Sequence, residues 1–279
     1  MRRSLLFIPG NNPGMIQSSD VFEADAVIFD LEDAVSGTEK DSARFLVTSY
    51  LKNYSPSLEV IVRINGFDTP FYLEDLKALF MLDNLNTIML PKARVEDLLQ
   101  LSEMIKNNKK DIKIIPIIEQ AISLIEVDQI AKLELVDGIL LGAEDFTKDL
   151  EVTRTKEGVE IFYARNRIVT ACKAYKIDAI DTPFTDTTDN EGLTKDTRFA
   201  KSIGMNAKSA IHPNQIETIN QIFTPTTKEV DYAKRVLMAR DEAFAKGLGV
   251  FSLDGKMVDK PVIERAEKVL EKAKKFGVL

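Results

Sequence analysis

The sequence predicts an α/β fold, a (β/α)8 TIM barrel followed by a C-terminal helix–hairpin–helix extension. Eight short apolar runs, rich in Ile and Val and mostly continuous, are typical of strands buried on both faces of a parallel sheet. Amphipathic segments with helical spacing fill most of the gaps between them. We therefore expect a barrel over residues 1–223 and an extension over 224–279 that contacts a neighbouring subunit.

The elements follow one another without a linker over the first part of the chain. The predicted strands are 4–9, 25–31, 59–65, 87–91, 112–118, 136–142, 177–181 and 205–211, and helical spacing predicts helices over 71–82, 94–105 and 157–175. An open doubly wound sheet is the alternative architecture. The sequence contains neither G-x-G-x-x-G nor G-x-x-x-x-G-K-[ST], so the glycine loops that usually support that alternative are missing.

The extension has its own start and turn signals. A capping box from Thr226 to Glu229 predicts a long helix that ends at about Lys246. Asp254-Gly255 between two short apolar runs indicates a β-hairpin. A last helix is expected to begin near Pro261.

Composition excludes several classes of protein. The 279 residues include one histidine, His212, and one cysteine, Cys172, so a disulfide framework and a Cys/His zinc site are excluded. A metal would be held mainly by oxygen, which favours magnesium, manganese or calcium. The net charge of −7 argues against nucleic-acid binding, and no apolar run approaches the roughly 20 residues of a membrane span. We expect a cytoplasmic protein that contacts neither nucleic acid nor membrane.

Charged residues follow most of the predicted strands. They are Asp30, Glu32, Asp33, Arg63, Lys92, Glu119, Glu144, Asp145 and Asp181. In a barrel the carboxyl ends of the strands carry the active site, although each residue alone could be a solvated loop charge or a helix cap. Carboxylates on one rim repel each other unless a cation holds them. Glu119 and Asp145, on neighbouring strands, form a plausible pair of metal ligands, and Arg63 could bind a substrate carboxylate.

The sequence resembles the β subunits of citrate lyase, within the citrate lyase/HpcH-HpaI aldolase superfamily that also includes malyl-CoA and citramalyl-CoA lyases. The matching stretches, ordered over essentially the whole chain, are RRSLLFIPGNNP (2–13), ADAVIFDLEDAVSGTEKDSAR (24–44), VRIN (62–65), LPKA (90–93), IPIIEQ (115–120), LGAEDF (141–146), 181–192, TPTTKEVDYAKRV (224–236) and GLGVFSLDGKMVDKPVIERA (247–266).

The resemblance implies Mg²⁺-dependent cleavage of a carbon–carbon bond in a citryl thioester, giving oxaloacetate and an acetyl thioester. It implies that Glu119 and Asp145 ligate the metal, that Arg63 and Glu119 bind substrate, and that Asp259 is an acid/base delivered from a neighbouring subunit. The cluster of Asp30, Glu32 and Asp33 resembles the residues that, around the metal ligands of the family, hold the metal-bound waters.

The sequence is compatible with three hypotheses about function. The first is the citryl-lyase subunit of a citrate lyase complex, with a carrier-bound or CoA thioester, α and γ subunits as partners, and a homo-oligomer (trimer or hexamer). The second is a free-standing malyl-CoA or citramalyl-CoA lyase, which the sequence His212-Pro213 favours. The third is a barrel retained as a scaffold. Lys92 is either a substrate cation or part of a structural ion pair, and Cys172 is expected in the core.

Overall fold

The computed structural model describes residues 1–245, 247 and 249–279. They form two compact units, Met1–Asn220 and Gln221–Leu279. The division of the chain expected from the sequence, 1–223 and 224–279 with the second part on a neighbouring subunit, stays a prediction.

The first unit is a closed barrel of eight parallel strands. The strands are β1 (Ser4–Pro9), β2 (Ala26–Asp30), β3 (Glu59–Arg63), β4 (Thr87–Leu90), β5 (Lys113–Ile118), β6 (Gly138–Leu141), β7 (Asp178–Asp181) and β8 (Ala207–Ala210). Each strand pairs with its neighbours in chain order, and β1 pairs with β8 to close the barrel. The predicted fold class is confirmed, and each of the eight predicted runs contains one of these strands.

Helices connect the strands on the outside of the barrel. They are α1 (Pro13–Gln17), α2 (Lys40–Asn53), α3 (Tyr72–Leu79), α4 (Val95–Asn107), α5 (Ala121–Ile125), α6 (Val127–Ala131), α7 (Ala143–Asp149), α8 (Phe162–Tyr175) and α9 (Asn190–Ile203). A further helix, α10 (Ile216–Phe223), follows β8 and begins in the first unit. The helix predicted over 157–175 begins only at Phe162, after a 3₁₀ turn. Gly158 precedes that turn with φ +67°, a left-handed conformation that an α-helix cannot include.

The barrel interior is filled by apolar side chains from every strand. They are Leu5, Ala26, Ile28, Ile61, Met89, Ile115, Ile117, Leu140, Ile180 and Ala207. Because side chains alternate along a strand, the residue two positions further on points to the same side. Asp30, Arg63 and Glu119 therefore follow Ile28, Ile61 and Ile117 into the carboxyl-end mouth of the barrel.

The opposite end of the barrel is closed by an arginine. The Arg2 guanidinium is 6% exposed and donates hydrogen bonds to the carboxylates of Glu59, Asp137 and Asp178 at 2.6 to 2.9 Å. These residues lie at or just before the starts of β3, β6 and β7. The contacts join three strands to the N-terminal segment at the end remote from the mouth.

A buried charge network lies between the last two strands and the helices that cover them. Arg165 of α8 binds Asp181 at 2.8 Å and Asp196 of α9 at 2.7 Å, and Lys208 of β8 binds the same two carboxylates at 2.6 and 2.7 Å. The expectation that Asp181 lies at the mouth is therefore wrong. Ile180 points into the barrel, so the side chain of its neighbour Asp181 points outwards to these two cations.

The second unit is a helix–hairpin–helix. It contains α11 (Thr227–Ala245), β9 (Phe251–Leu253), β10 (Lys256–Val258) and α12 (Lys260–Lys275). The two strands are antiparallel, and the turn between them has positive φ at Asp254 and Gly255, as a type I′ turn requires. The predicted end of the long helix at Lys246 lies outside the described residues.

The start of α11 shows the predicted capping box. Thr226 Oγ1 accepts a hydrogen bond from the Glu229 N–H at 3.2 Å, and the Glu229 carboxylate accepts one from the Thr226 N–H at 2.7 Å. The core of this unit contains Val236, Val258 and Ile263. Over the part of the chain that the structure covers, no helix is long and apolar enough to cross a membrane.

Substitution of a cation in the buried network is expected to lower stability. Arg165→Met would leave the carboxylates of Asp181 and Asp196 with fewer cations in a site that excludes water. We expect the free energy of unfolding to fall by about 3–5 kcal/mol, measured by urea denaturation at equilibrium.

The matched control for this prediction is Arg167→Met, on the same helix. Arg167 is partly exposed and pairs with the exposed Asp128. Its loss is expected to cost about 1 kcal/mol or less. Equal effects of the two substitutions would contradict a stabilising role for the network.

Candidate active site

Glu119 is the central carboxylate of the barrel mouth. It comes directly after β5 and is 5% exposed. Its Oε1 accepts a hydrogen bond from the Lys92 N–H at 2.6 Å. On the other side, a Cβ atom added at Gly142 would lie 2.7 Å from Oε2. A backbone donor and the absence of a side chain at Gly142 together fix the position of this carboxylate.

Lys92 supplies that donor from a strained backbone. Its φ of +48° lies in the left-handed region, which costs a residue other than glycine of order 1 kcal/mol or more. Its ammonium lies 3.5 Å from the Asp68 carboxylate. Backbone strain of this kind concentrates at functional sites, and here it stands beside the central carboxylate.

Arg63 is held rigidly at the end of β3. Its Nε and Nη2 donate to the two Asp30 carboxylate oxygens at 2.7 and 2.6 Å, and its Nη1 lies 2.9 Å from Glu32 Oε2. The guanidinium also lies over the Phe7 ring, 5.0 Å from the ring centroid. Asp30 accepts two further hydrogen bonds, from the N–H groups of Glu32 and Ala34. The structure thus places Asp30 and Glu32 on Arg63.

A cavity of about 220 Å³ joins these groups. Its lining consists of Phe7, Asp30, Asp33, Ala34, Arg63, Ile117, Glu119, Leu140, Gly142, Ala143, Glu144, Asp145, Thr182, Pro183 and Ile211. Six of the charged residues expected at the mouth from the sequence therefore share one cavity: Asp30, Asp33, Arg63, Glu119, Glu144 and Asp145. Glu32 is buried behind the lining, against Arg63.

Asp259 lies in the second unit and has a structural partner there. It is the N-cap of α12, and its Oδ1 accepts a hydrogen bond from the Val262 N–H at 3.3 Å. The carboxylate would have to leave this cap to reach a substrate. Its role in catalysis stays a prediction.

Burial perturbs two of the carboxyl groups. Removal from water, reinforced by the negative charge of Glu32, raises the pKa of Glu119 to about 8. Burial also raises the pKa of Glu32 to about 7, against the opposing effect of the Arg63 guanidinium. The mouth therefore holds more carboxylates than it can easily keep ionised without an added cation.

The oxygen donors suit a magnesium ion that also binds substrate. Within residues 1–245, 247 and 249–279, no three Asp, Glu, His or Cys side chains converge to hold a metal by themselves. Mg²⁺ in proteins often takes one or two carboxylates and completes its octahedron with water and substrate. Glu119, lodged against the gap at Gly142, and the partly exposed Asp145 at the start of α7 fit that requirement.

Several lining residues were not predicted from the sequence. Phe7, Gly142, Thr182 and Ile211 line the cavity, and the Thr182 hydroxyl accepts a hydrogen bond from the Ala143 N–H at 3.3 Å. The signal that could have found them is the two-residue period of the strands. Gly142 and Thr182, for example, follow the interior residues Leu140 and Ile180.

Residues 3–213 match the HpcH/HpaI aldolase/citrate lyase family. The chain belongs to this family. A citrate lyase subunit beta of Leuconostoc mesenteroides subsp. cremoris is 41% identical over 283 residues, which cover 98% of this chain and 93% of the relative. A mitochondrial citramalyl-CoA lyase of Rattus norvegicus is 30% identical and covers 96% of this chain and 85% of the relative.

Two solved structures are similar to the chain in sequence and in fold. Protein CitE of Mycobacterium tuberculosis, in complex with magnesium, acetoacetate and coenzyme A, is 30% identical with a TM-score of 0.81 and covers 97% of both chains. A citrate lyase beta subunit of M. tuberculosis, complexed with oxaloacetate and magnesium, is 28% identical with a TM-score of 0.71 and covers 80% of this chain and 97% of that one.

The raised pKa of Glu119 makes stability depend on pH in the metal-free protein. The unfolded chain releases the Glu119 proton near pH 4.5 and the folded chain near pH 8, so stability falls as the pH rises through this window. At pH 7 the loss is of order 3 kcal/mol. Glu119→Gln, which cannot ionise, is expected to be more stable than the parent at pH 8 and to show a flatter profile.

The measurement is urea denaturation in chelator at several values between pH 5 and pH 8. Glu144→Gln is the matched control, because Glu144 lines the same cavity but is 59% exposed. A profile for Glu119→Gln that is parallel to that of the parent would show that this carboxyl group is ionised in both states.

Proposed function

We propose that the chain is the carbon–carbon lyase subunit of a citrate lyase, and that it cleaves a citryl thioester to oxaloacetate and an acetyl thioester. The observation that carries the proposal is the convergence of Glu119, Asp145 and Arg63 on one cavity. The 41% identical relative, a citrate lyase subunit, supports the citryl substrate over the citramalyl substrate of the 30% identical relative.

Glu119 and Asp145 would hold the metal. Mg²⁺ bound there supplies a Lewis acid for the hydroxyl and carboxylate oxygens of the substrate. The relatives whose structures contain magnesium together with a keto acid support a site that holds both the metal and the substrate. The Lys92 N–H and the gap at Gly142 hold the Glu119 carboxylate in place before metal or substrate binds.

Arg63 orients the substrate through a carboxylate. Two of its five N–H donors bind Asp30 and Nη1 lies 2.9 Å from Glu32, so the guanidinium keeps N–H donors for a ligand. Because the guanidinium is already held by two carboxylates and the Phe7 ring, little side-chain entropy is lost when substrate binds. The role of Asp30, Glu32 and Asp33 in holding metal-bound waters stays a prediction.

The substrate hydroxyl first gives its proton to a base. Cleavage of the resulting alkoxide gives the keto group of oxaloacetate and the enolate of an acetyl thioester, and the enolate carbon needs a proton. We assign the donation of this proton to the protonated carboxyl group of Asp259 of a neighbouring subunit, whose carboxylate would act as the base in the condensation direction. The carboxylate caps α12 in the isolated chain, so delivery requires the cap hydrogen bond to the Val262 N–H to open.

The proposal includes partners. The thioester is carried by an acyl carrier protein or by CoA, with α and γ subunits of a citrate lyase complex and a homo-oligomer (trimer or hexamer) of this chain. The cytoplasmic location expected from the sequence stays a prediction. A free-standing malyl-CoA or citramalyl-CoA lyase is the second candidate, and the 30% identity to a citramalyl-CoA lyase is the observation that favours it.

The function is tested by cleavage assays with citryl-CoA, malyl-CoA and citramalyl-CoA. We expect citryl-CoA to be cleaved with the highest kcat/KM, and chelator to abolish the release of keto acid. Glu119→Gln and Asp145→Asn are each expected to lower kcat/KM at least about 100-fold, because each removes a metal ligand. The readout is the keto acid released per unit time.

Glu144→Gln serves as the control in this assay, since Glu144 is an exposed carboxylate of the same mouth. Preference for citramalyl-CoA would favour the second candidate. Failure to cleave any of the three thioesters with Mg²⁺ present would refute both lyase assignments and leave the scaffold hypothesis.

Mixing two inactive variants tests which subunit supplies Asp259 to an active site. If Asp259 acts on the site of a neighbouring subunit, Asp259→Ala and Asp145→Asn chains that assemble together form some complete sites. We expect the mixture to recover up to about one quarter of the parent activity after dissociation and reassembly, although each variant alone is inactive. Activity that never exceeds the sum of the two variants would place Asp259 outside a shared site.

A further inference from the structure

The citryl substrate poses a recognition problem that the central cavity does not solve. Cleavage of a citryl thioester releases oxaloacetate, a dicarboxylate, whereas a citramalyl thioester releases pyruvate, a monocarboxylate. A site that selects the citryl substrate therefore needs a donor for one additional carboxylate. Among the described residues that line the central cavity, Arg63 is the only cation, and it already donates two hydrogen bonds to Asp30 and lies 2.9 Å from Glu32.

A second cavity adjoins the first and contains lysines. It measures about 340 Å³ and shares Glu119 and Asp145 with the central cavity. The other residues of its lining are Lys92, Gln120, Lys148, Asp149 and Glu151. A substrate that binds a metal held by Glu119 and Asp145 would thus have open space on two sides. One side contains Arg63 and the other contains these lysines.

Lys92 is the better placed of the two lysines. Its backbone is anchored to Glu119 by the 2.6 Å hydrogen bond, so its side chain starts from a fixed point beside the proposed metal ligand. Lys148 is 84% exposed and 3.8 Å from Asp145, whereas Lys92 is 35% exposed. An ammonium that is partly withdrawn from water pairs more strongly with a bound carboxylate.

The ammonium of Lys92 stays charged and only weakly paired. Burial opposes its charge, but the carboxylates of Asp68, Glu32 and Glu119 act more strongly together and raise the pKa of Lys92. Its contact with Asp68 is long, at 3.5 Å, and the Asp68 carboxylate is 59% exposed. An incoming carboxylate can replace such a contact at small cost.

We propose that Lys92 binds the second carboxylate of the oxaloacetate portion and thereby selects citryl over citramalyl thioesters. This inference rests on the proposed function, because it names the residue that distinguishes the substrates of the same site. Lys92 would act through its ammonium, separately from its backbone N–H, which holds Glu119.

The decisive experiment measures the binding of two keto acids by calorimetry at saturating Mg²⁺. The full-length protein is titrated with oxaloacetate and with pyruvate. Lys92→Met keeps the backbone N–H and removes the charge, so we expect oxaloacetate to bind about 10- to 100-fold more weakly and pyruvate to bind within about twofold of the parent. Lys92→Arg is expected to restore most of the preference for oxaloacetate.

Two further variants serve as controls. Lys106→Met removes an exposed lysine paired with Glu134 outside both cavities and should leave both affinities unchanged. Lys148→Met tests the other lysine of the second cavity. Equal weakening of both keto acids in Lys92→Met would overturn the proposal, because it would show an effect on the metal site. Loss of the preference in Lys148→Met with Lys92→Met unchanged would also overturn it.

A kinetic experiment separates this inference from the proposed function. In Lys92→Met, kcat/KM for citryl-CoA should fall about 10- to 100-fold while that for citramalyl-CoA is unchanged. A parent enzyme that cleaves neither thioester refutes the proposed function, yet the calorimetric comparison still decides the role of Lys92. A folding defect is recognised by an altered urea midpoint, and Lys92→Gly, which relieves the positive φ, then provides the uncharged variant.

Discussion

The arrangement of the site depends on one carboxylate that is buried among others of the same charge. Glu119 lies where β5 leaves the barrel core, between the apolar floor and the N–H of Lys92. Its raised pKa expresses an unfavourable electrostatic environment that a divalent cation would reverse. The remaining groups at the mouth can be understood as responses to this constraint. Arg63 pairs with Asp30 and lies against Glu32, and Gly142 leaves the space that Glu119 fills.

The alternation of side chains along parallel strands explains why so much of this arrangement could be predicted. Continuous apolar runs indicated the strands, and the polar residues that end them indicated the mouth. The same rule explains the error at Asp181. A position one residue beyond an interior side chain points outwards, and the sequence does not show which residue of the run IDAID points inwards. Only the register of β7 against β8 decides it.

Other features depend on contacts between distant parts of the chain. The contacts of Arg63 with Asp30 and Glu32 join the carboxyl ends of β2 and β3, and the sequence contains no local signal for them. The sequence likewise contains no signal for the left-handed backbone at Lys92, since the residues that usually adopt this conformation are glycine and asparagine. The resemblance predicts the residues that the proposed chemistry needs, whereas the contacts that position them required the three-dimensional structure.

The N-cap at Asp259 has a consequence for the extension as a whole. The Asp259 carboxyl group stabilises the first turn of α12 through Oδ1 and is also the proposed proton donor, and in the proposed mechanism it leaves the cap to reach the neighbouring site. The free energy of the cap, about 1 kcal/mol, then acts as a threshold that a correctly docked partner must supply before the acid is released. In an unassembled chain the Asp259 carboxyl group would stay in the cap of α12, so protonation of the enolate would depend on assembly of the subunits.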